Sequence, residues 1–515
     1  MFVVRGEVSP DAIAASLQAL LPTRHHPIVR RRLTLLDTFD GRVRRAGARL
    51  TRSAINGSGT ITWQRRGGGT NIVLRLGHPV SFVWDLPDGP LHQAVAPVVG
   101  VRRLFAQAEL ELCGSLLDIL DDHKKTIARL RIESGRGRLP EARHAWQSVP
   151  CQITLTSLRG YEDVYHTLVP VIESRPGVEA CSEGFDVVTL RQLGALIPDV
   201  PLPGADLEPT VLADIGARHI HQSLLKILMA NEPGLRSNLD TEFLHDFRVA
   251  VRRTRSLLGQ IKQVFPPDSQ QHFQTEFSWL GGLTGPPRDM DVLMLSLRSP
   301  GADIQGDELD ALIAFLGQAQ EREHQTLTAA LDSERYRRLL TDWGEFLERS
   351  APFHPEARDA GRLLADVVAQ RAWRLSRRIA HSSETFDEQT PAEQLHELRL
   401  DAKKLRYLID VTPSFYDAAD LERIVSALKR LQRVLGDFND AQVQEQRLLE
   451  CGRTLSAADG RPGTVLALER LADECRQRSE RLRGQVADGL ARFRAHDTRS
   501  ACRRAFKRNA SEPAL

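Results

Sequence analysis

The segment HDFRVAVRRTRSLL, residues 245–258, returns 151 residues later as HELRLDAKKLRYLI, residues 396–409. The same offset carries Gly285 onto Gly436 and Asp289 onto Asp440 without a gap. Unrelated helices have no reason to keep a histidine and its following cations in register over such a distance. The C-terminal region must therefore fold as two copies of one unit.

At about 100° per residue on an α-helix, positions 0, +3, +7 and +10 after each histidine fall within an arc of roughly 80°. One stripe holds His245, Arg248, Arg252 and Arg255, with Arg253 on its flank; its copy holds His396, Arg399, Lys403 and Arg406, with Lys404 on the flank. Phe247, Val251, Leu257 and Leu258 occupy other angles, as do Leu398, Ala402, Leu405, Leu408 and Ile409, so each helix can bury one side and present cations on another. A single basic helix reads as a solvated face. Two in register, with acids scarce in the stripe, suit a long polyanion. A lone histidine is more often structural than a ligand, and neither stripe carries a second His or a carboxylate at metal spacing. The two histidines are read as phosphate hydrogen-bond donors or local organisers, and no metal or other cofactor is expected.

Net charge does not announce such a partner. Lys and Arg number 69 against 67 acids, a net charge of +2, because acidic stretches such as 307–332 offset the stripes. That balance argues for a defined cationic groove over a generally sticky surface. Six cysteines, at 113, 151, 181, 451, 475 and 502, show no zinc-type spacing and are sparse for a disulfide framework, so a reducing compartment is expected. The first residues, MFVVRGE, lack a basic stretch followed by a long apolar run, and no segment approaches the ~18 apolar residues of a membrane span. A cytoplasmic protein without membrane partners is expected.

The composition changes at IPDVPLPG, residues 197–204, a Pro-rich segment that reads as a linker. Beyond it the pattern is helical, with amphipathic runs such as 360–379 and 421–435. Before it, alternating segments at 32–38, 48–53, 60–66, 72–76, 108–113, 126–133 and 151–157 predict strands, separated by turns at Asp40-Gly41, Gly57–Gly59 and Gly67–Gly69. Those glycines lack the setting of a nucleotide loop. The expectation is an α+β chain: a β-rich domain over 1–200, a linker over 201–210, and an all-α domain over 211–510 with repeat units at 211–355 and 356–510.

LHDFRVAVRRTRSLL and LHELRLDAKKLRYLI resemble the two signature helices of the CHAD family, the conserved-histidine α-helical domains. GPPRDMDV, residues 285–292, and LGDFND, residues 435–440, resemble that family's second marker. Four motifs fall in the right order. The resemblance implies two pseudo-symmetric four-helix bundles around a basic channel that binds inorganic polyphosphate, and association with polyphosphate granules. The residues expected to hold it are His245, Arg248, Arg252, Arg253, Arg255, His396, Arg399, Lys403, Lys404 and Arg406, with Lys226, Arg374, Arg377, Arg378, Lys429, Arg430 and Arg433 as additional contacts. On physical grounds Gly285-Pro286-Pro287 ends one helix and Arg288-Asp289 opens the next. In the copy, Gly436 is expected to end a helix, with Asp437 or Asn439 capping its successor. Asp289 and Asp440 then read as turn and cap residues that also orient a neighbouring arginine.

LDTFDGRVRRAGARL, residues 36–50, and LRGYE, residues 158–162, resemble the CYTH family of triphosphate tunnel metalloenzymes, implying an antiparallel β-barrel-like fold. The family's Glu-x-Glu-x-Lys signature is reduced here to Arg5 and Glu7, so its metal chemistry is not carried over and no catalytic residue is assigned. Arg42, Arg44, Arg49, Arg52, Arg65, Arg66, Arg129 and Arg131 are candidates to line a barrel and hold an anion, with Arg42 and Arg44 sharing a strand face. Glu109 and Glu111 share another, where solvated carboxylates are more common than catalytic ones. The favoured function is polyphosphate binding. The alternatives are a polyphosphate- or triphosphate-hydrolysing enzyme and an RNA-binding or scaffold protein. Against RNA, aromatics make up only 6% of the chain and the stripes lack aromatic interleaving.

Overall fold

Along 104–112, Ala108, Leu110 and Leu112 alternate with Glu109 and Glu111, and burial follows the alternation, as the two-residue period of a strand requires. The structure, a computed structural model, describes residues 2–4, 9–55, 58–66, 71–140, 146–158, 160–181, 183–195, 203–204, 206–297, 307–349, 354–387, 389–457 and 462–507. Arg5, Glu7, Gly57, the Gly67–Gly69 turn and most of the Pro-rich segment lie outside these residues. The chain forms two compact units, Met1–Val200 and Pro201–Leu515.

The first unit runs β1 (Phe2–Val4), α1 (Pro10–Gln18), β2 (Thr23–Thr38), α2 (Arg42–Arg45), β3 (Ala48–Ile55), β4 (Ser58–Arg65), β5 (Ile72–Leu76), α3 (Pro90–Val99), β6 (Leu104–Leu120), β7 (Thr126–Arg138), β8 (Gln147–Ser157), α4 (Val164–Glu173), β9 (Val178–Ala180) and α5 (Phe185–Gln192). Its strands make one antiparallel sheet in the order β5-β4-β3-β2-β6-β7-β8-β1-β9. Among the described residues no ladder joins β5 to β9.

Many of this sheet's arginines are neutralised by cross-strand register. Glu111 stands opposite Arg32 on β2 and Arg136 on β7, and Glu109 opposite Arg138; each of these pairs forms an ion pair, at 2.6 Å for Arg138 with Glu109. Arg31 grips Glu133 with two bonds of 2.6 Å, Arg66 meets Asp186 at 2.6 Å and Arg129 meets Asp118 at 3.1 Å. Arg42 and Arg44 do not share a strand face, contrary to the sequence reading, because 42–45 is a short helix. Gly41 takes φ 69°, and the buried Asp37 carboxylate accepts hydrogen bonds from the Val43 and Arg44 amides at 2.8 and 3.1 Å. Those bonds satisfy the helix start that a strand would have left open.

The second unit is helical: α6 (Ala213–Arg236), α7 (Thr241–Gln260), α8 (Pro267–Leu283), α9 (Gly285–Leu297), α10 (Asp307–Leu331), α11 (Glu334–Glu348), α12 (Leu364–Glu384), α13 (Ala392–Asp410), α14 (Ala418–Ala457), α15 (Pro462–Arg494) and α16 (His496–Phe506). The starts of α6, α7 and α8 map onto those of α12, α13 and α14 at the 151-residue offset. The short last helix closes on the first in each copy, α11 on α6 and α16 on α12. Across the copies four pairs of equivalent helices meet: α6 with α12, α7 with α13, α9 with the second half of α14, and α10 with α15. That is the signature of an isologous, two-fold contact.

The copies differ at the second marker. Pro286 and Pro287 supply no amide to the preceding turn, so the first copy breaks at Thr284. Asp437 and Phe438 stand at those positions in the second copy and keep their amides, and α14 runs unbroken from Ala418 to Ala457. The expectation that Gly436 ends a helix is corrected: Gly436, Asp437, Asn439 and Asp440 are interior to α14. Among the described residues no helix is long and apolar enough to cross a membrane.

Candidate functional site

Asp240 caps α7, accepting from the Glu242 and Phe243 amides at 2.9 and 3.2 Å, and Phe243, Phe247, Ala250, Val251, Leu257 and Leu258 bury its inner side. Leu395, Leu398, Ala402, Leu405 and Leu408 do the same for α13. With both inner sides fixed, Arg248, Arg252, Arg399 and Lys403 of the two cationic stripes are left half-buried where α7 meets α13.

Tyr407 of α13 receives two arginines of α7, with the Arg252 and Arg253 guanidinium carbons 5.7 and 5.8 Å from its ring centre. This contact sets Arg252 in the electrostatic field of Arg399 and Lys403. Burial first, then repulsion from Arg252 and Arg399, pushes the Lys403 amine down to about 7, with Asp440 opposing and Arg248 adding to the depression. Burial likewise lowers Arg248 and Arg399, opposed by Asp289 and Asp440 respectively. Arg248, Arg252, Arg399 and Lys403, two from each copy, thus form one repulsive cationic centre.

The marker acids flank it. Arg399 reaches Asp440 at 3.5 Å, and Arg447 reaches Asp289 at 3.9 Å from the other copy. Burial raises Asp289, Arg248 and Arg447 oppose that rise, and Asp440 adds to it. Arg248 also donates to the Gly281 carbonyl and to Thr284 Oγ1, both at 3.1 Å, and so serves the carbonyl orphaned by the α8–α9 break. His396 lies 3.2 Å from Asn439 Oδ1 through Nδ1, and His245 is half-buried at the head of its stripe.

The remaining sequence candidates disperse. Arg253 and Arg406 converge on Asp410, at 3.6 and 2.5 Å, whereas Arg255, exposed at the stripe's far end, still adds to the repulsion on Arg248. Lys404 and Arg378 share Asp401, at 3.4 and 2.6 Å, on another side of α13. Arg374 and Arg377 line a separate cleft with Arg378, and Lys226 is exposed on α6. On α14, Lys429 and Arg433 fall within roughly 20° of Asp440 around the helix, as does Arg447, whereas Arg430 is turned about 80° away. Sequence reasoning missed Tyr407, Asp410 and Arg447. Asp410 at i+4 from Arg406, and Arg447 seven residues beyond Asp440, carried the signal.

Among the described residues no group of three or more His, Cys, Asp or Glu side chains is arranged to hold a metal ion. Fold and geometry define an internally duplicated helical domain with a cationic centre on its two-fold axis. Residues 219–449 match the family model described as the CHAD domain. Uncharacterized proteins of Mycobacterium tuberculosis strains CDC 1551 / Oshkosh and ATCC 25618 / H37Rv are each 27% identical over 322 residues. Each match covers 58% of this chain, which spans 58% of the length of those relatives. Among solved structures, the CHAD domain from the plant Ricinus communis is 25% identical with a TM-score of 0.48, covering 56% of this chain and 95% of that one. PptA from Streptomyces chartreusis is 17% identical with a TM-score of 0.43, covering 55% of this chain and 100% of that one.

Proposed function

We propose that the helical unit binds inorganic polyphosphate across the junction of α7 and α13. The observation that carries this reading is the cationic centre of Arg248, Arg252, Arg399 and Lys403, crowded enough to bring a lysine down to about 7. Such crowding is unfavourable in the free protein and is relieved by a ligand with closely spaced negative charge. Polyphosphate offers that charge with no bases to recognise, so binding rests on phosphate oxygens and charge alone. Arginine supplies planar forks matched to those oxygens, and Lys403 a point charge. Lys429, Arg433 and Arg447 extend the track along α14.

The test is a titration of the full chain with polyphosphate against polyglutamate of equal charge. Tighter binding to polyphosphate, with a steep fall in affinity as salt rises, is expected. Equal affinity for both polymers, or no binding to polyphosphate, overturns the reading.

A further inference from the structure

The second copy carries a basic feature whose arginines are mostly not repeated at the equivalent positions of the first. Between α12, α13 and α16 lies an open cleft of about 1470 Å³, larger than the ~300–1,000 Å³ of small-molecule pockets. Arg374, Arg377, Arg494, Arg499, Arg503 and Lys507 line it, all exposed, and none makes a side-chain hydrogen bond or ion pair with a described residue. Among the described residues three acids line the cleft with them: Glu384, Glu397 and Asp401, the last engaged by Arg378 and Lys404. The start of α16 also borders the cleft through Arg494 and His496, and no side chain caps it. Its first amides add partial positive charge, although Asp497 sits in the same turn.

The duplicated fold does not require this cleft. At the 151-residue offset Arg374 corresponds to Ser223 and Arg378 to Ile227, with only Arg377 matched by a cation, Lys226. Nor is it a continuation of the cationic centre. Asp401, which faces the cleft, stands about 200° around α13 from Arg399. Reaching both surfaces means passing round a helix roughly 10–12 Å across.

We infer that the α12–α13–α16 cleft is a second polyphosphate subsite, which makes the domain select long chains over short ones. The inference rests on the function proposed above. A short oligophosphate on the α7–α13 stripes cannot also touch the cleft. A long chain already held there presents its remainder at high effective concentration, so the second contact adds affinity without a second encounter. Trp373 and Phe386 also line the cleft, half-buried, which makes single-stranded RNA the competing occupant. The preponderance of exposed cations over these two aromatics favours the base-free polymer.

The experiment compares the full-length wild-type chain with a variant carrying Arg374→Ser, Arg494→Ala, Arg499→Ala and Arg503→Ala, measuring affinity for tripolyphosphate, long-chain polyphosphate and single-stranded RNA. Long chains also offer more binding registers, but that gain persists in the variant. The variant is expected to lose at least about tenfold in long-chain affinity while tripolyphosphate affinity stays within about twofold. Equal losses for both phosphates, or no loss for either, overturn the subsite. Loss of RNA binding with long-chain affinity intact assigns the cleft to nucleic acid and also overturns it. A wild-type chain that binds neither phosphate refutes the proposed function along with it, whereas binding without the excess length gain refutes the subsite alone.

Discussion

Leu212 and Leu363, the same position in the two copies, face each other in an isolated antiparallel bridge. Its hydrogen bonds are reciprocal: the Ala213 amide donates to the Arg362 carbonyl at 2.8 Å, and the Leu364 amide to the Val211 carbonyl at 2.9 Å. Ala213 maps onto Leu364, and Val211 onto Arg362, at the 151-residue offset. A two-fold axis therefore passes between the two leucines. The same symmetry brings α7 against α13, which turns two separate stripes into one centre.

Arg252 and Lys403 are equivalent across that axis and offer the cleanest test of the centre, because Arg248 also braces the α8–α9 break. Each charge-assisted hydrogen bond contributes about 1.5–3 kcal/mol. Arg252→Ala with Lys403→Ala should therefore weaken polyphosphate binding by roughly a hundredfold or more. The slope of log affinity against log salt should become shallower. His396→Ala should cost less, since a neutral imidazole brings one donor and no full charge. Unchanged affinity and slope in the double variant would place the site elsewhere.

Asp410 leads to a prediction of opposite sign. It holds Arg253 and Arg406 at the edge of the centre, so Asp410→Asn removes a negative charge and releases two arginines. Affinity for polyphosphate should rise about fivefold, corresponding to roughly 1 kcal/mol for one charge at the effective dielectric of a protein surface. Thermal stability should drop slightly. An affinity equal to or weaker than that of wild type contradicts the arrangement.

The Lys403 amine, down to about 7 in the free protein, makes binding depend on pH. A bound polyanion raises it again, so between pH 7 and the higher bound value binding takes up a proton. Affinity should then fall as pH rises above 7, by at most about tenfold per unit, and should be insensitive to this group below 7. Long chains suit the measurement because their titrating terminal groups are a small share of the charge. Lys403→Arg should flatten the profile between pH 7 and 9, and a variant profile that matches wild type would remove Lys403 from the site. Lys403→Met should raise the melting temperature of the unliganded chain, since the repulsion it relieves opposes folding.

The duplication and the stripes were legible because a helix repeats every 3.6 residues and the offset is free of gaps through the marker. The cross-copy contacts were not, since Tyr407 beneath Arg252 and Arg447 beside Asp289 depend on how the copies dock. The α14 error shows the same limit locally. Glycine alone does not end a helix whose next residues keep their amides, whereas Pro286 and Pro287 leave no choice. In the first unit, periodicity found the seven longer strands β2 to β8 but missed β1 and β9, which have only three residues each. It also put Arg42 and Arg44 on a strand, because the cap that makes α2 comes from Asp37.

His221 on α6 is fully buried beside Trp343 and Phe265, with ring centres 5.2 and 6.1 Å away, and burial pushes it from 6.5 down to about 3. The unfolded chain takes up a proton here below about pH 6.5 while the folded one does not. This residue therefore subtracts stability as pH falls, and subtracts nothing above 6.5. At pH 5 the penalty is about 2 kcal/mol, from ~1.36 kcal/mol per pH unit. His221→Phe keeps an aromatic ring in the cluster and removes the titration. The helical unit of the variant should lose less stability than wild type between pH 7 and pH 5, measured as the shift in urea midpoint or as hydrogen-exchange protection along α6. Parallel losses in the two proteins would mean that His221 is protonated in the folded state.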